Sequence, residues 1–137
     1  MAAKTVLVVD DEESDRVLIC RILERENYTV LEADTYQAAL SVFEKNRDSI
    51  ALLLTDISLP GGNGCDLWVS MRKRKSELQV LFVSGHVGAE VLRFYVAEPA
   101  IRHFLGKPLK SADLLAKVAQ VLGSTEFPQL KAEATER

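Results

Sequence analysis

Five short apolar runs alternate with five longer amphipathic segments, and few folds accommodate that rhythm. The runs are TVLVV (5–9), YTVLEA (28–33), IALLLT (50–55), QVLFVS (79–84) and AIRHFLG (100–106). Three are almost continuous in Val, Ile, Leu and Phe, the pattern of strands covered on both faces in a parallel sheet. The segments between them carry helical periodicity. Leu18, Ile19, Ile22 and Leu23 share one side of 14–26, and Asn27 can take the left-handed conformation that ends a helix. Tyr36, Ala39, Leu40 and Phe43 do the same in 35–46, with Asp34 as the expected N-cap and Gln37 three residues on. Leu67, Trp68 and Met71 mark 64–74; Val91, Leu92 and Tyr95 mark 88–97. The last helix, 111–122, is expected to be capped by Ser111 and carries Leu114, Leu115, Val118 and Leu122 before Gly123. Strand then helix, five times over, predicts an α/β chain: a five-stranded parallel sheet, doubly wound, with helices on both faces and right-handed crossovers. The commonest order for such a sheet is 2-1-3-4-5.

The chain has 137 residues, the size of one domain. That domain is expected over 4–123, followed by a polar tail, STEFPQLKAEATER (124–137), expected to be flexible. A formal net charge of −3 gives no field drawing the chain to nucleic acid or to anionic membranes. The one basic run, RKRK at 72–75, reads as a solvated helix end, where cations suit the dipole. Cys20 and Cys65 are too few and too far apart for a disulfide scaffold or a zinc site. No segment reads as a signal peptide or a membrane span, so a cytoplasmic setting is expected.

In an open α/β sheet, ligands bind beyond the carboxyl ends of the strands, where the strand order reverses. Strand 1 ends in Asp10 and Asp11, strand 3 in Asp56, strand 4 in Ser84, and strand 5 at Lys107. Glu32 and Asp34 follow the edge strand and are expected to lie off the site. Singly, each residue has an ordinary reading as a helix-capping acid, a turn residue or a strand exit. Together, the predicted fold brings three carboxylates, a hydroxyl and an ammonium to one rim. Their surplus negative charge suits a hard divalent cation such as Mg²⁺, which takes one or two carboxylates and keeps several waters. Such a cation also makes sense of four consecutive acids, Asp10 to Glu13, at the end of a buried strand.

The segments VLVVDDE, LLTDISLPGGNG, VLFVSG and FLGKP resemble, in type, order and spacing, the motifs of the receiver domain of two-component response regulators, from residue 4 to about 122. The resemblance implies the flavodoxin-like (βα)5 three-layer sandwich. It implies Asp56 as phosphoacceptor, and Mg²⁺ (or Mn²⁺) held by Asp11, Asp56 and the backbone carbonyl of Ser58, with Asp10 acting through a water. Ser84 would bond the phosphoryl group and Lys107 would pair with it, with a cis bond between Lys107 and Pro108. Ser84 and Phe104 would form the switch. The donor would be a sensor histidine kinase or a histidine phosphotransfer protein. The face formed by 88–97, 100–106 and 111–122 would carry the output and allows a homodimer. Such a chain turns over no separate substrate. Ser84 stands where Thr is commoner, and Phe104 lacks the phenol of the commoner Tyr. Ser58 and His86, two residues beyond Asp56 and Ser84, are expected to tune the acyl-phosphate lifetime. VAEPAIRHF before Lys107 is similar to receivers of hybrid sensor kinases. A phosphatase of the haloacid dehalogenase class would need a second aspartate where Ser58 stands, and a receiver kept only for binding would have lost Asp56, Lys107 or one of the acid pair.

Overall fold

The computed structural model describes residues 4–85 and 103–123. Five strands form its sheet: β1 (Thr5–Val9), β2 (Thr29–Ala33), β3 (Ile50–Asp56), β4 (Gln79–Ser84) and β5 (Phe104–Gly106). Their order is β2-β1-β3-β4-β5, and every pair is parallel. This is the flavodoxin-like topology that the βα rhythm predicts. The register aligns the carboxyl ends: Val9 pairs with Thr55, Asp56 with Val83, and Ser84 with Gly106.

Four helices are described: α1 (Glu13–Arg25), α2 (Tyr36–Asn46), α3 (Gly64–Arg72) and α4 (Ser111–Leu122). They divide the core in two. Val6, Val8, Leu52, Leu54, Leu81 and Val83 face α1 and α4. Leu7, Val9, Leu53, Val80 and Phe82 face α2 and α3. Because both faces of β1 are covered, all five of its residues are buried, and no polar alternation survives in TVLVV. Trp68 on α3 anchors the second core. Its ring meets Phe82 edge-on at 6.2 Å, and its indole N–H donates to the Leu78 carbonyl at 3.3 Å.

The helix ends refine the sequence reading. Asn27 has φ of 69°, the left-handed turn expected after α1. Thr35, not Asp34, caps α2: its hydroxyl accepts the Ala38 N–H at 3.0 Å. Ser111 is the first helical residue of α4, and Lys110 precedes it without a side-chain cap. His103 is buried but stands just before β5, not on it. The predicted helix over 88–97, the start of the last apolar run at 100–102, His86 and the tail at 124–137 lie outside the described residues.

The RKRK run does more than end a helix. α3 stops at Arg72, whose guanidinium carbon lies 5.2 Å from the Trp68 ring centroid. Arg74 pairs with Glu44 of α2. The Lys75 ammonium donates to the carbonyls of Ile50 at 2.6 Å, Arg47 at 2.8 Å and Asp48 at 3.3 Å. It therefore closes the C-terminus of α2 and the entry to β3, at the end of the sheet away from the predicted site.

Candidate functional site

The backbone of Asp10 extends the β1 ladder by donating to the Ala33 carbonyl at 3.2 Å. This fixes the side chain at the carboxyl rim, where it is fully buried. One carboxylate oxygen accepts the Glu12 N–H at 2.9 Å. The Asp10 carbonyl accepts from Arg16 at 2.8 Å, and the same guanidinium bonds Glu32 at 2.9 Å. Asp11, next in the chain, is exposed.

Asp56 closes β3 and is nearly buried. Its Oδ1 accepts the Ser58 N–H at 3.3 Å, and its carbonyl accepts the Thr55 hydroxyl at 2.8 Å. Beyond it the chain makes a two-residue antiparallel ribbon, Ser58–Leu59 against Gly62–Asn63, turning through Gly61 at φ of +90°. Asn63 then caps α3, accepting the Asp66 N–H at 2.8 Å. Gly64 opens that helix and donates to the Ile57 carbonyl at 2.7 Å. A Cβ at Gly64 would collide with the Asp56 carbonyl and would stand 3.0 Å from Thr55 Cγ2. Glycine here lets the start of α3 press directly on the aspartate's backbone.

Lys107 follows β5 and precedes a cis bond to Pro108. Its N–H donates to the Ser84 carbonyl at 2.9 Å, tying the lysine's backbone to the end of β4. Its ammonium then crosses the rim to Asp10 Oδ2 at 2.9 Å and Asp56 Oδ2 at 2.9 Å. Burial alone would lower the Lys107 pKa, but the hydrogen bonds to Asp10, Asp56 and Asp15 outweigh it and raise it. Burial pushes the Asp10 carboxyl above its usual range, against the opposing pull of Lys107 and the Glu12 N–H.

The structure thus joins Asp10, Asp56 and Lys107 directly. Asp11 completes a group in which one oxygen from each of Asp10, Asp11 and Asp56 lies within 4.8 Å of the others. Three carboxylates against one ammonium leave a formal surplus of two negative charges. The donors are all oxygens and one is wholly buried, so the residues fit a hard dication. Ser84 is buried one position past Val83, the partner of Asp56. Phe104 is half-buried against the α2/α3 core and pairs with Phe82. Strand alternation puts Ser84 and Phe104 on the same side of the sheet as Phe82. Ser58 is exposed beside Asp56, and His86 lies outside the described residues.

Two contributors went unread in the sequence. Asp15 Oδ2 takes a third hydrogen bond from Lys107 at 3.1 Å, and Arg16 holds the Asp10 carbonyl. The only hint was their place in the first turn of the helix that follows the acid pair.

The family model for the response regulator receiver domain matches residues 6–119. The chain is 30% identical over 118 residues to the sensor kinase CckA of Brucella abortus, covering 86% of this chain and 12% of that protein. It is 32% identical over 128 residues to the phosphate regulon transcriptional regulatory protein PhoB of Pseudomonas aeruginosa, covering 91% of this chain and 54% of that protein. The chain therefore spans about an eighth and about half of these two relatives. Among solved structures, the receiver domain of NtrX from Brucella abortus superposes with a TM-score of 0.73 at 30% identity, covering 87% of this chain and 98% of that one.

Proposed function

Because the chain belongs to the response regulator receiver domain family, whose general function is phosphorylation on an aspartate and a resulting switch, we propose that Asp56 is its phosphoacceptor and that a phosphohistidine is its donor. One observation carries this reading. Lys107, from the end of the last strand, bridges Asp56 and the buried Asp10 across the rim at 2.9 Å each. A carboxylate held this way, with a cation alongside, is poised to attack an electrophile that brings its own negative charge.

In the proposed step an Asp56 oxygen attacks the phosphorus in line with the P–N bond of the donor. That bond breaks, its electron pair returns to the imidazole nitrogen, and an acyl phosphate remains on Asp56. Phosphoryl transfer demands mainly positioning and charge stabilisation. The Ser58 N–H and the Lys107 ammonium orient Asp56. Asp11, Asp56 and the Ser58 carbonyl would hold Mg²⁺ (or Mn²⁺), with Asp10 reaching it through a water. Bound there, the ion supplies positive charge to the oxygens of the transferring group. The Ser84 hydroxyl donates to the new phosphoryl oxygens, and Lys107 pairs with another. Phe104, half-buried on the same side of the sheet, fills the space that Ser84 vacates. That motion alters the face carried by β5 and α4, through which the chain contacts its partner or a second copy of itself.

We assign this unit to residues 4–123, place it in the cytoplasm, and take its donor to be a histidine kinase or a histidine phosphotransfer protein. Ser58 and His86 set the lifetime of the acyl phosphate, and no separate substrate is turned over. Incubation with phosphoramidate or acetyl phosphate and Mg²⁺, read by intact mass, tests the assignment. The wild type gains one phosphoryl group, while Asp56→Asn and the wild type in EDTA gain none. An unmodified wild type, or a modified Asp56→Asn, refutes it. A beryllofluoride complex in which Ser84 and Phe104 keep their positions refutes the switch.

A further inference from the structure

The Lys107 ammonium has three protons, and three carboxylates take them: Asp10 and Asp56 at 2.9 Å each, and Asp15 at 3.1 Å. An ammonium offers no fourth donor, so a phosphoryl oxygen can be served only by releasing one of these partners. They are not equally replaceable. The Asp10 side chain is fully buried, and losing its cation would strand a charge away from water. Acylation removes the Asp56 carboxylate charge, so its share of Lys107 passes to the phosphoryl group it then carries. Asp15 keeps 40% of its side-chain surface in solvent and makes the longest of the three contacts, so water can take over from Lys107 there. It also belongs to the first turn of α1, outside the oxygen cluster suited to a metal.

We infer that Asp15 is a positioning residue that engages Lys107 in the resting protein and opposes phosphorylation of Asp56. It does so in two ways of the same sign. It competes with the phosphoryl oxygens for the Lys107 ammonium, and its charge repels a product carrying nearly two negative charges. In the resting state it also steadies the lysine over the rim, so removing it loosens Lys107 while favouring the phosphorylated form. This regulation rests on Asp56 being the phosphoacceptor.

The experiment compares wild type, Asp15→Asn and Asp15→Glu in beryllofluoride titrations at saturating Mg²⁺. Asp15→Asn binds about three- to tenfold tighter, the scale of one partly exposed charged hydrogen bond. Asp15→Glu, which keeps the carboxylate, stays within about twofold of wild type. A merely structural loss would weaken binding, so the direction of change separates the two roles. Exchange of the Lys107 ammonium protons with water, followed by ¹⁵N NMR on the metal-free protein, is a second readout. It accelerates in Asp15→Asn and not in Asp15→Glu. Equal or weaker beryllofluoride binding by Asp15→Asn, or unchanged ammonium exchange, overturns the role of Asp15 while the wild type still binds. A wild type that binds no beryllofluoride overturns the phosphoacceptor assignment instead.

Discussion

Replacing Asp11 with Asn should make the metal-free protein more stable and the magnesium-loaded protein less so. In the resting site an Asp11 oxygen lies within 4.8 Å of oxygens on both Asp10 and Asp56. At that separation, with the dielectric of water that suits an exposed group, each repulsion is about 0.9 kcal/mol. Together they approach about 2 kcal/mol, and attraction to Lys107 reduces the net to about 1 kcal/mol. The variant gains that amount in EDTA at pH 7, because no described hydrogen bond is lost with the Asp11 carboxylate. The gain fades in acid. The Asp10 carboxyl is raised above 3.8, chiefly by burial, so the folded protein holds that proton more tightly than the unfolded chain. The Asp10 contribution to wild-type stability therefore falls as pH rises through the window above 3.8. Mg²⁺ reverses the ranking. A ligand at a hundredfold excess over its dissociation constant stabilises by about 2.7 kcal/mol, a gain the variant largely forfeits with its missing ligand. Urea unfolding read through the sole tryptophan, buried Trp68, measures all of this. An Asp11→Asn protein less stable than wild type in EDTA at pH 7, or an equal gain from Mg²⁺ in both, would show the charge reasoning to be wrong.

Two further outcomes are expected. Gly64→Ala forces the new methyl against the Asp56 carbonyl and should cost about 1–3 kcal/mol in urea unfolding while weakening beryllofluoride binding; unchanged values for both would mean α3 yields easily there. Burial pushes the thiols of Cys20 and Cys65 up to about 12, so neither should react with a disulfide reagent at pH 8 until urea opens the fold; prompt labelling of the native protein would contradict their packing.

The sheet was legible because its strands are covered on both sides, which leaves an unbroken apolar signature in 5–9, 50–55 and 79–84. The rim residues were legible because a parallel sheet collects every strand's carboxyl end at one place. Asp10, Asp56 and Lys107 accordingly meet across 97 positions of sequence. The remainder depended on contacts that no local pattern encodes. Asp15 looks like any acid in a first helical turn until Lys107, 92 residues later, reaches it. Thr35 and Asp34 are both good caps, and which one serves depends on where α2 begins. Lys75 reads as one cation among four, yet only the return of the chain from α2 into β3 supplies the carbonyls it binds.

Those carbonyls give the far end of the sheet a different character from the rim. The oxygens around Lys107 are side-chain carboxylates, open to protonation, metal exchange and chemical modification. The oxygens around Lys75 are main-chain groups that none of these can remove. The central strand β3 is therefore clasped at its root by contacts that no change among the carboxylates at its other end can undo.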